Sequence, residues 1–163
     1  MVRLIEVRQP RPHDIIGRTF TIAGFGTGFE ATVRWRVLGH NASVLGEGPV
    51  HGVGSMGVID DFGHDVTLTT TSARAATVTL QVFGDDPSGQ HPPGPDLNEV
   101  PLVLFSGLHG WRLYEVVHGD NLTKIARDHG QNTTVDDVFA ANRDILTDPN
   151  LIKPGQVLRI PLL

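Results

Sequence analysis

Thr32-Val33-Arg34-Trp35-Arg36-Val37 sets polar and apolar side chains in strict alternation. Successive side chains of a strand point to opposite faces, so Val33, Trp35 and Val37 fall on one face and Thr32, Arg34 and Arg36 on the other, the pattern of a half-buried strand. The same period runs outward in both directions. Phe20 and Ile22 alternate with Thr19 and Thr21, Val66 and Leu68 with Thr67 and Thr69, and Val78, Leu80 and Val82 with Thr77, Thr79 and Gln81. Glycine-rich stretches at 24–28, 39–41, 46–48 and 52–57 are expected to separate these strands. An all-β immunoglobulin-like sandwich of about seven antiparallel strands follows, with residues 4–7 and 100–105 as its outer members. Residues 85–99 (DDPSGQHPPGPDLNE) hold four prolines and two glycines, leaving few backbone donors, and are expected to form an exposed loop.

Composition agrees with such a chain. Of 163 residues, 39% are hydrophobic and 19% charged, which excludes a disordered polyelectrolyte and a coiled coil. A net charge of -5 argues against tracking nucleic-acid phosphates or being drawn by charge to anionic lipid. With no cysteine there is no disulfide, thiolate zinc site or cysteine nucleophile. Glu6 and Arg8 interrupt any apolar run that could serve as a signal segment, and no stretch is long and apolar enough to span a bilayer. Envelope and cytoplasmic locations both stay open.

After a five-residue linker, 106–110, the period changes. Residues 113–117 read as one strand; Leu122, Ile125, Ala126 and His129 then recur at helical spacing, with Asp120 as the expected N-cap and Gly130 as the expected C-terminal cap. Val135, Val138, Phe139 and Asn142 mark a second helix, whose start carries Asp136 and Asp137 at the positive end of its dipole. Pro154-Gly155 turns the chain into a last strand, residues 157–160. The expected organisation is two domains: a β-sandwich over 1–105 and a small α+β domain of order βααβ over 111–163.

Two resemblances sharpen this reading. Tyr114-Glu115-Val116-Val117-His118-Gly119-Asp120-Asn121-Leu122-Thr123-Lys124-Ile125-Ala126, then Asn142, then Ile152-Lys153-Pro154-Gly155-Gln156-Val157-Leu158-Arg159-Ile160-Pro161 resembles a LysM domain. It departs from the family in a lengthened loop between Asn142 and Gly155, and in Asn121 where the family usually has Thr or Ser. The first half resembles the immunoglobulin-like Gmad2 domain, on Ile5-x-Val7-x-x-Pro10-x-Pro12, Ile22-Ala23-Gly24, Phe29-Glu30-Ala31-Thr32-Val33-x-Trp35-x-Val37, and Phe62 ahead of Val66 and Leu68. The LysM resemblance implies recognition of N-acetylglucosamine-containing glycan, chiefly peptidoglycan or chitin, without bond cleavage. Its groove would lie between Gly119, Asp120, Asn121 and Leu122 on one loop and Asp148, Asn150, Leu151 and Ile152 on another. Backbone groups there would meet the acetamido group, while Leu122, Leu151 and Ile152 would cover its methyl and the apolar sugar face. The bland reading stands beside this one: Gly119, Asp120, Asn142 and Gly155 serve as turn, cap and anchor, and Leu122 and Ile125 as core.

Catalytic motifs are set aside. Gly52-Val53-Gly54-Ser55-Met56-Gly57 matches a dinucleotide fingerprint, but no helix follows to receive a pyrophosphate. Eight histidines include no H-E-x-x-H pair, and Asp60, Asp61, His64 and Asp65 read as a solvated turn, with a weak calcium or zinc site as the alternative. The expectation is a protein that is not an enzyme and needs no cofactor or metal. Its partners would be peptidoglycan or a related polymer and, through the sandwich, another protein, with no nucleic acid. Two alternatives remain: a structural component of a phage-tail-like assembly, and a cytoplasmic potassium-sensing LysM protein.

Overall fold

The computed structural model describes residues 4–70, 75–88, 94 and 96–163. In chain order the elements are β1 (Ile5–Gln9), β2 (Ile15–Ile16), β3 (Thr19–Gly28), β4 (Thr32–Leu38), β5 (Val44–His51), β6 (Gly54–Ser55), β7 (Asp60–Thr67), β8 (Ala76–Gly84), β9 (Asn98–Leu104), β10 (Gly110–Glu115), α1 (Leu122–His129), α2 (Val135–Ala141) and β11 (Val157–Leu162). The chain divides into two compact units: Met1–Pro12, Thr19–Thr70 and Thr77–Leu102 form the first, and His13–Arg18, Thr71–Ala76 and Val103–Leu163 the second.

The first unit is two sheets face to face. In one, β3 runs antiparallel to β1 and β7 and closes with a two-residue parallel pairing to β6. In the other the order is β9-β8-β4-β5. Val33, Trp35 and Val37 of β4 are buried, as are Leu80 and Val82 of β8 and Ile22, Phe62 and Val66 of the facing sheet. The Trp35 ring lies 6.2 Å from that of His64 on β7, joining the two layers.

Three expectations are corrected here. Glycines 24–28 and 46–48 do not separate strands but lie within β3 and β5. A Cβ on Gly24 would sit 2.0 Å from the Glu6 carbonyl oxygen, and Cβ atoms on Gly46 and Gly48 would sit 3.1 Å from the Trp35 ring. These glycines let a neighbouring strand or a large ring approach, the other reason glycine occurs inside a strand. Asp60, Asp61, His64 and Asp65 belong to β7 rather than to a turn, and Asp65 accepts a 2.7 Å hydrogen bond from Thr21 of β3. Finally, β9 is not outermost along its whole length, because Val103 and Leu104 pair in parallel with β2. Of the loop expected at 85–99, residues 85–97 fall between β8 and β9 while Asn98 and Glu99 already belong to β9, and residues 89–93 and 95 lie outside the described set.

In the second unit β10 and β11 pair antiparallel from Gly110 opposite Leu162 to Glu115 opposite Val157, and α1 and α2 lie between them in the chain. Val116, Leu122, Ile125, Ala126, Val138, Leu146, Leu158 and Ile160 form its core, with Tyr114, Phe139 and Ile152 packed against it. Phe105, Val103 and Ala141 form a second cluster, to which Ile15, Leu108 and Leu163 add. No helix among the described residues is long and apolar enough to cross a membrane.

Candidate functional site

The α1 loop is held by a carboxylate. Asp120 Oδ2 accepts hydrogen bonds from the Val117 amide at 3.0 Å and the Tyr114 hydroxyl at 2.7 Å, and Oδ1 accepts one from Lys124 Nζ at 3.1 Å. The expected N-cap role of Asp120 is therefore corrected: Asn121 caps α1, its Oδ1 accepting from the Lys124 amide at 2.9 Å. Asp120 turns back instead and ties the end of β10 to the helix start. Gly119 takes φ +88 with open space where a Cβ would point, so this position favours glycine for its backbone angle and not for room. Gly130 is the reverse case. It ends α1 in an extended conformation, φ -82, but a Cβ there would lie 2.5 Å from the Ala126 carbonyl. It is the C-terminal cap as expected, its amide donating to the Ala126 carbonyl at 3.0 Å, and close packing is what excludes a side chain there. Helix α2 opens on a capping box in which Thr134 and Asp137 exchange hydrogen bonds.

Tyr114, the single tyrosine of the chain, was not singled out by sequence reasoning, although a tyrosine six residues before an aspartate across a Gly-containing turn was a usable signal. The Val117 amide, then the Tyr114 hydroxyl and Lys124, hold the Asp120 carboxyl down at about 2 against an opposing effect of burial. The hydrogen bond to Asp120, with burial and the carboxylate charge, pushes the Tyr114 phenol up from 10.0. Both shifts have a sign for stability. Asp120 contributes above its unfolded value of 3.8 and loses that contribution as pH falls towards about 2; Tyr114 contributes below 10.0 and loses it as pH rises through its raised folded value. Phenolate absorbance during an alkaline titration is expected to rise with a midpoint above 10.0, and Asp120→Asn is expected to move that midpoint back down. An unshifted phenol in the parent chain would remove this account of the loop.

The second loop is built differently. Asp148 Oδ1 accepts from the Asn150 amide at 2.7 Å and from Asn150 Nδ2 at 3.1 Å, while the Leu151 amide donates to the Asp148 carbonyl at 3.1 Å. This hydrogen-bonded turn presents Leu151 to solvent, 63% exposed, and the next residue, Ile152, packs on the core. Lys153 and Gln156 close the following turn, where the Lys153 amide donates to Gln156 Oε1 at 2.7 Å and Gly155 takes φ +86. The Val116 amide donates to the Gln156 carbonyl, and the Gly155 amide to the Val116 carbonyl, both at 2.8 Å, so this turn is pinned to the chain just ahead of Gly119.

The candidate residues thus fall into three groups. Leu122 and Ile152 meet in one apolar cluster, Leu122 only 2% exposed. Asp120 and Asn121 are engaged in fixing the α1 loop, Asp148 and Asn150 in fixing the second. Gly119 and Leu151 stand open to solvent.

Parts of known proteins are similar to this one. Over 47 residues it is 49% identical to an endolysin of Bacillus phage PZA, a match to 29% of this chain and 17% of the endolysin. Over 51 residues it is 41% identical to the potassium binding protein Kbp of Escherichia coli O6:H1, a match to 31% of this chain and 34% of that protein. The chain therefore spans well under half the length of these curated relatives, and both matches are to the LysM portion. Among solved structures, WR4, a member of the C. elegans MSP family, is similar at 15% identity and a TM-score of 0.31 over 65% of this chain and all of that one, too slight a likeness to inform the fold. Residues 114–161 match the LysM domain, a family of modules that bind N-acetylglucosamine-containing glycan such as peptidoglycan. Residues 4–91 match the model of Gmad2, the immunoglobulin-like domain of bacterial spore germination, so the chain belongs to the Gmad2 family, with a LysM domain following.

Proposed function

We propose that the C-terminal domain, residues 111–163, holds peptidoglycan or a related N-acetylglucosamine polymer without cleaving it, and that the sandwich, residues 1–105, serves as a protein-interaction module joined through 106–110. The observation that carries the glycan reading is Leu151. An exposed leucine on a hydrogen-bonded turn, anchored on one side by Ile152 and on the other by Asp148, is an apolar side chain kept in water by structure. The apolar face of a sugar ring is a fitting cover for it, and the backbone groups of 119–122 and 148–152 that are not used in fixing the two loops would serve an acetamido group. Leu122, being core, positions the first loop from beneath.

Non-catalytic holding follows from the same residues. A glycosidase needs a carboxylic acid whose pKa is raised so that it can donate a proton near neutral pH. Asp120, held at about 2, is ionised there, and its hydrogen-bonding capacity is taken up by Val117, Tyr114 and Lys124. A single shallow site of this kind binds weakly, at about 4 to 6 kcal/mol, and gains retention from a ligand with many repeats. In an NMR titration with chitin oligomers, amides of residues 119–122 and 148–152 are expected to shift together, and Leu151→Asp is expected to weaken binding about tenfold or more by setting a charge against the sugar face. Shifts confined to other surfaces, or binding unchanged by Leu151→Asp, would reject this site.

A further inference from the structure

The sandwich offers a site of definite chemistry at the end where the β3–β4 and β6–β7 turns meet. A pocket of about 640 Å³ lies there, within the size range of ligand-binding sites. Leu4, Phe29 and Met56 supply its apolar surface, and Glu30, Asp85 and Asp96 supply carboxylates; among the described residues no lysine, arginine or histidine lines it. Phe29 is 58% exposed and Met56 99%, the two most prominent apolar side chains of the pocket. Both are held out by turns with unusual backbone. Glu30 and Ala31, at φ 48 and 55, close β3 onto β4 with a hydrogen bond from the Thr32 amide to the Phe29 carbonyl. Met56 and Gly57, at φ 53 and 84, close the β6–β7 turn with one from the Val58 amide to the Ser55 carbonyl. Two-residue turns with positive φ favour Asn and Gly, so Glu30, Ala31 and Met56 sit in a conformation that L side chains avoid. Strain of this sort gathers where a fixed presentation matters more than local stability.

We propose that this pocket docks an extended segment of a partner protein in which an apolar side chain neighbours a lysine or arginine. The inference deepens the interaction role proposed for the sandwich and is independent of glycan binding. Charge decides the class of partner. Asp85 shares its charge with Arg34 at 3.8 Å, but Glu30 and Asp96 form no ion pair among the described residues, so the lining sets acidic groups beside exposed apolar side chains. A cationic side chain would find its counter-charges there, with its aliphatic stem lying along Phe29, while the flexible thioether of Met56 adapts to the neighbouring apolar residue.

The chain holds two methionines, Met1 and Met56, so methyl-labelled methionine gives a two-signal spectrum in which Met56→Leu identifies the reporter. The full chain would be titrated with a short peptide alternating leucine and lysine, and with the same peptide carrying glutamate for lysine. The leucine-lysine peptide is expected to shift the Met56 methyl saturably, more weakly as salt is added, and the glutamate peptide to leave it in place. The double variant Glu30→Gln and Asp96→Asn should bind the cationic peptide about three- to tenfold more weakly, with unchanged Trp35 fluorescence showing that the sandwich is folded. Equal binding of the two peptides, or a Met56 shift that depends on protein concentration alone, would overturn the proposal in favour of unselective apolar contact or self-association. In backbone amide spectra recorded at the same titration points, shifts elsewhere on the sandwich with the Met56 methyl unmoved would overturn the pocket and spare the interaction role; no shift in either spectrum would remove both.

Discussion

Asn142→Ala is expected to unfold the LysM domain or leave it barely folded, at a cost of about 3 kcal/mol or more. The Asn142 side chain is fully buried at the end of α2. Its Nδ2 donates to the Val138 carbonyl at 2.7 Å and to the Arg159 carbonyl at 2.8 Å, and its Oδ1 accepts from the Arg159 amide at 2.8 Å. One amide thus closes the helix and pairs with both polar groups of a β11 residue, as a neighbouring strand would. Alanine leaves the Arg159 amide and two carbonyls without these partners, and each orphaned buried group costs about 1 to 3 kcal/mol. A unit of this size has roughly 3 to 9 kcal/mol of stability in all. Asn142→Asp is a sharper control, since a carboxylate can still accept from the Arg159 amide but faces two carbonyl oxygens to which it cannot donate. Urea unfolding followed through Trp111 should show both variants strongly destabilised while Trp35 reports an unaltered sandwich. A loss under about 1 kcal/mol in both would mean that Asn142 does not anchor β11.

The other large effect is expected at Phe105. It is the largest side chain among the fully buried ones and packs with Val103 and Ala141 in the second cluster of the C-terminal unit, where Ile15, Leu108 and Leu163 also contribute. Phe105→Ala removes the ring of that cluster's largest buried side chain, and a change of this kind costs about 3 to 5 kcal/mol, because lost transfer free energy and an unfilled cavity add together. Because Phe105 groups with residues 103–163, the Trp111 transition is the one expected to move, with Phe105→Leu causing a smaller shift. Displacement of the Trp35 transition alone would assign Phe105 to the sandwich core.

Much of the sandwich is readable from sequence because period two is a local property, and Val33, Trp35 and Val37 are buried as their alternation demands. What could not be read is decided by residues far apart in the chain. Gly24 sits within a strand because Glu6 passes beside it, and Gly46 and Gly48 because Trp35 lies against them; a glycine destined for a turn and one destined for a close approach look alike until the neighbour is known. The strands β2 and β6, two residues each, are too short to have a period. At the candidate site, Asp120 and Asn121 were equally able to cap α1. The Tyr114 hydroxyl and Val117 amide claim Asp120 and leave the cap to Asn121. Resemblance to LysM indicated the two loops, and Leu122 is buried as its reading as core requires, but that Ile152 packs on the core while Leu151 beside it stays open depends on the turn that Asp148 closes.

Co-sedimentation of the full chain with insoluble peptidoglycan, with soluble chitin oligomers as competitor, tests glycan holding most directly. The chain should be found in the pellet, be released by the oligomers, stay in solution when Leu151 is replaced by aspartate, and free no reducing ends from the polymer. A chain that remains in the supernatant at every salt concentration, or pellets equally well with Leu151→Asp, would contradict the assignment of glycan binding to these two loops.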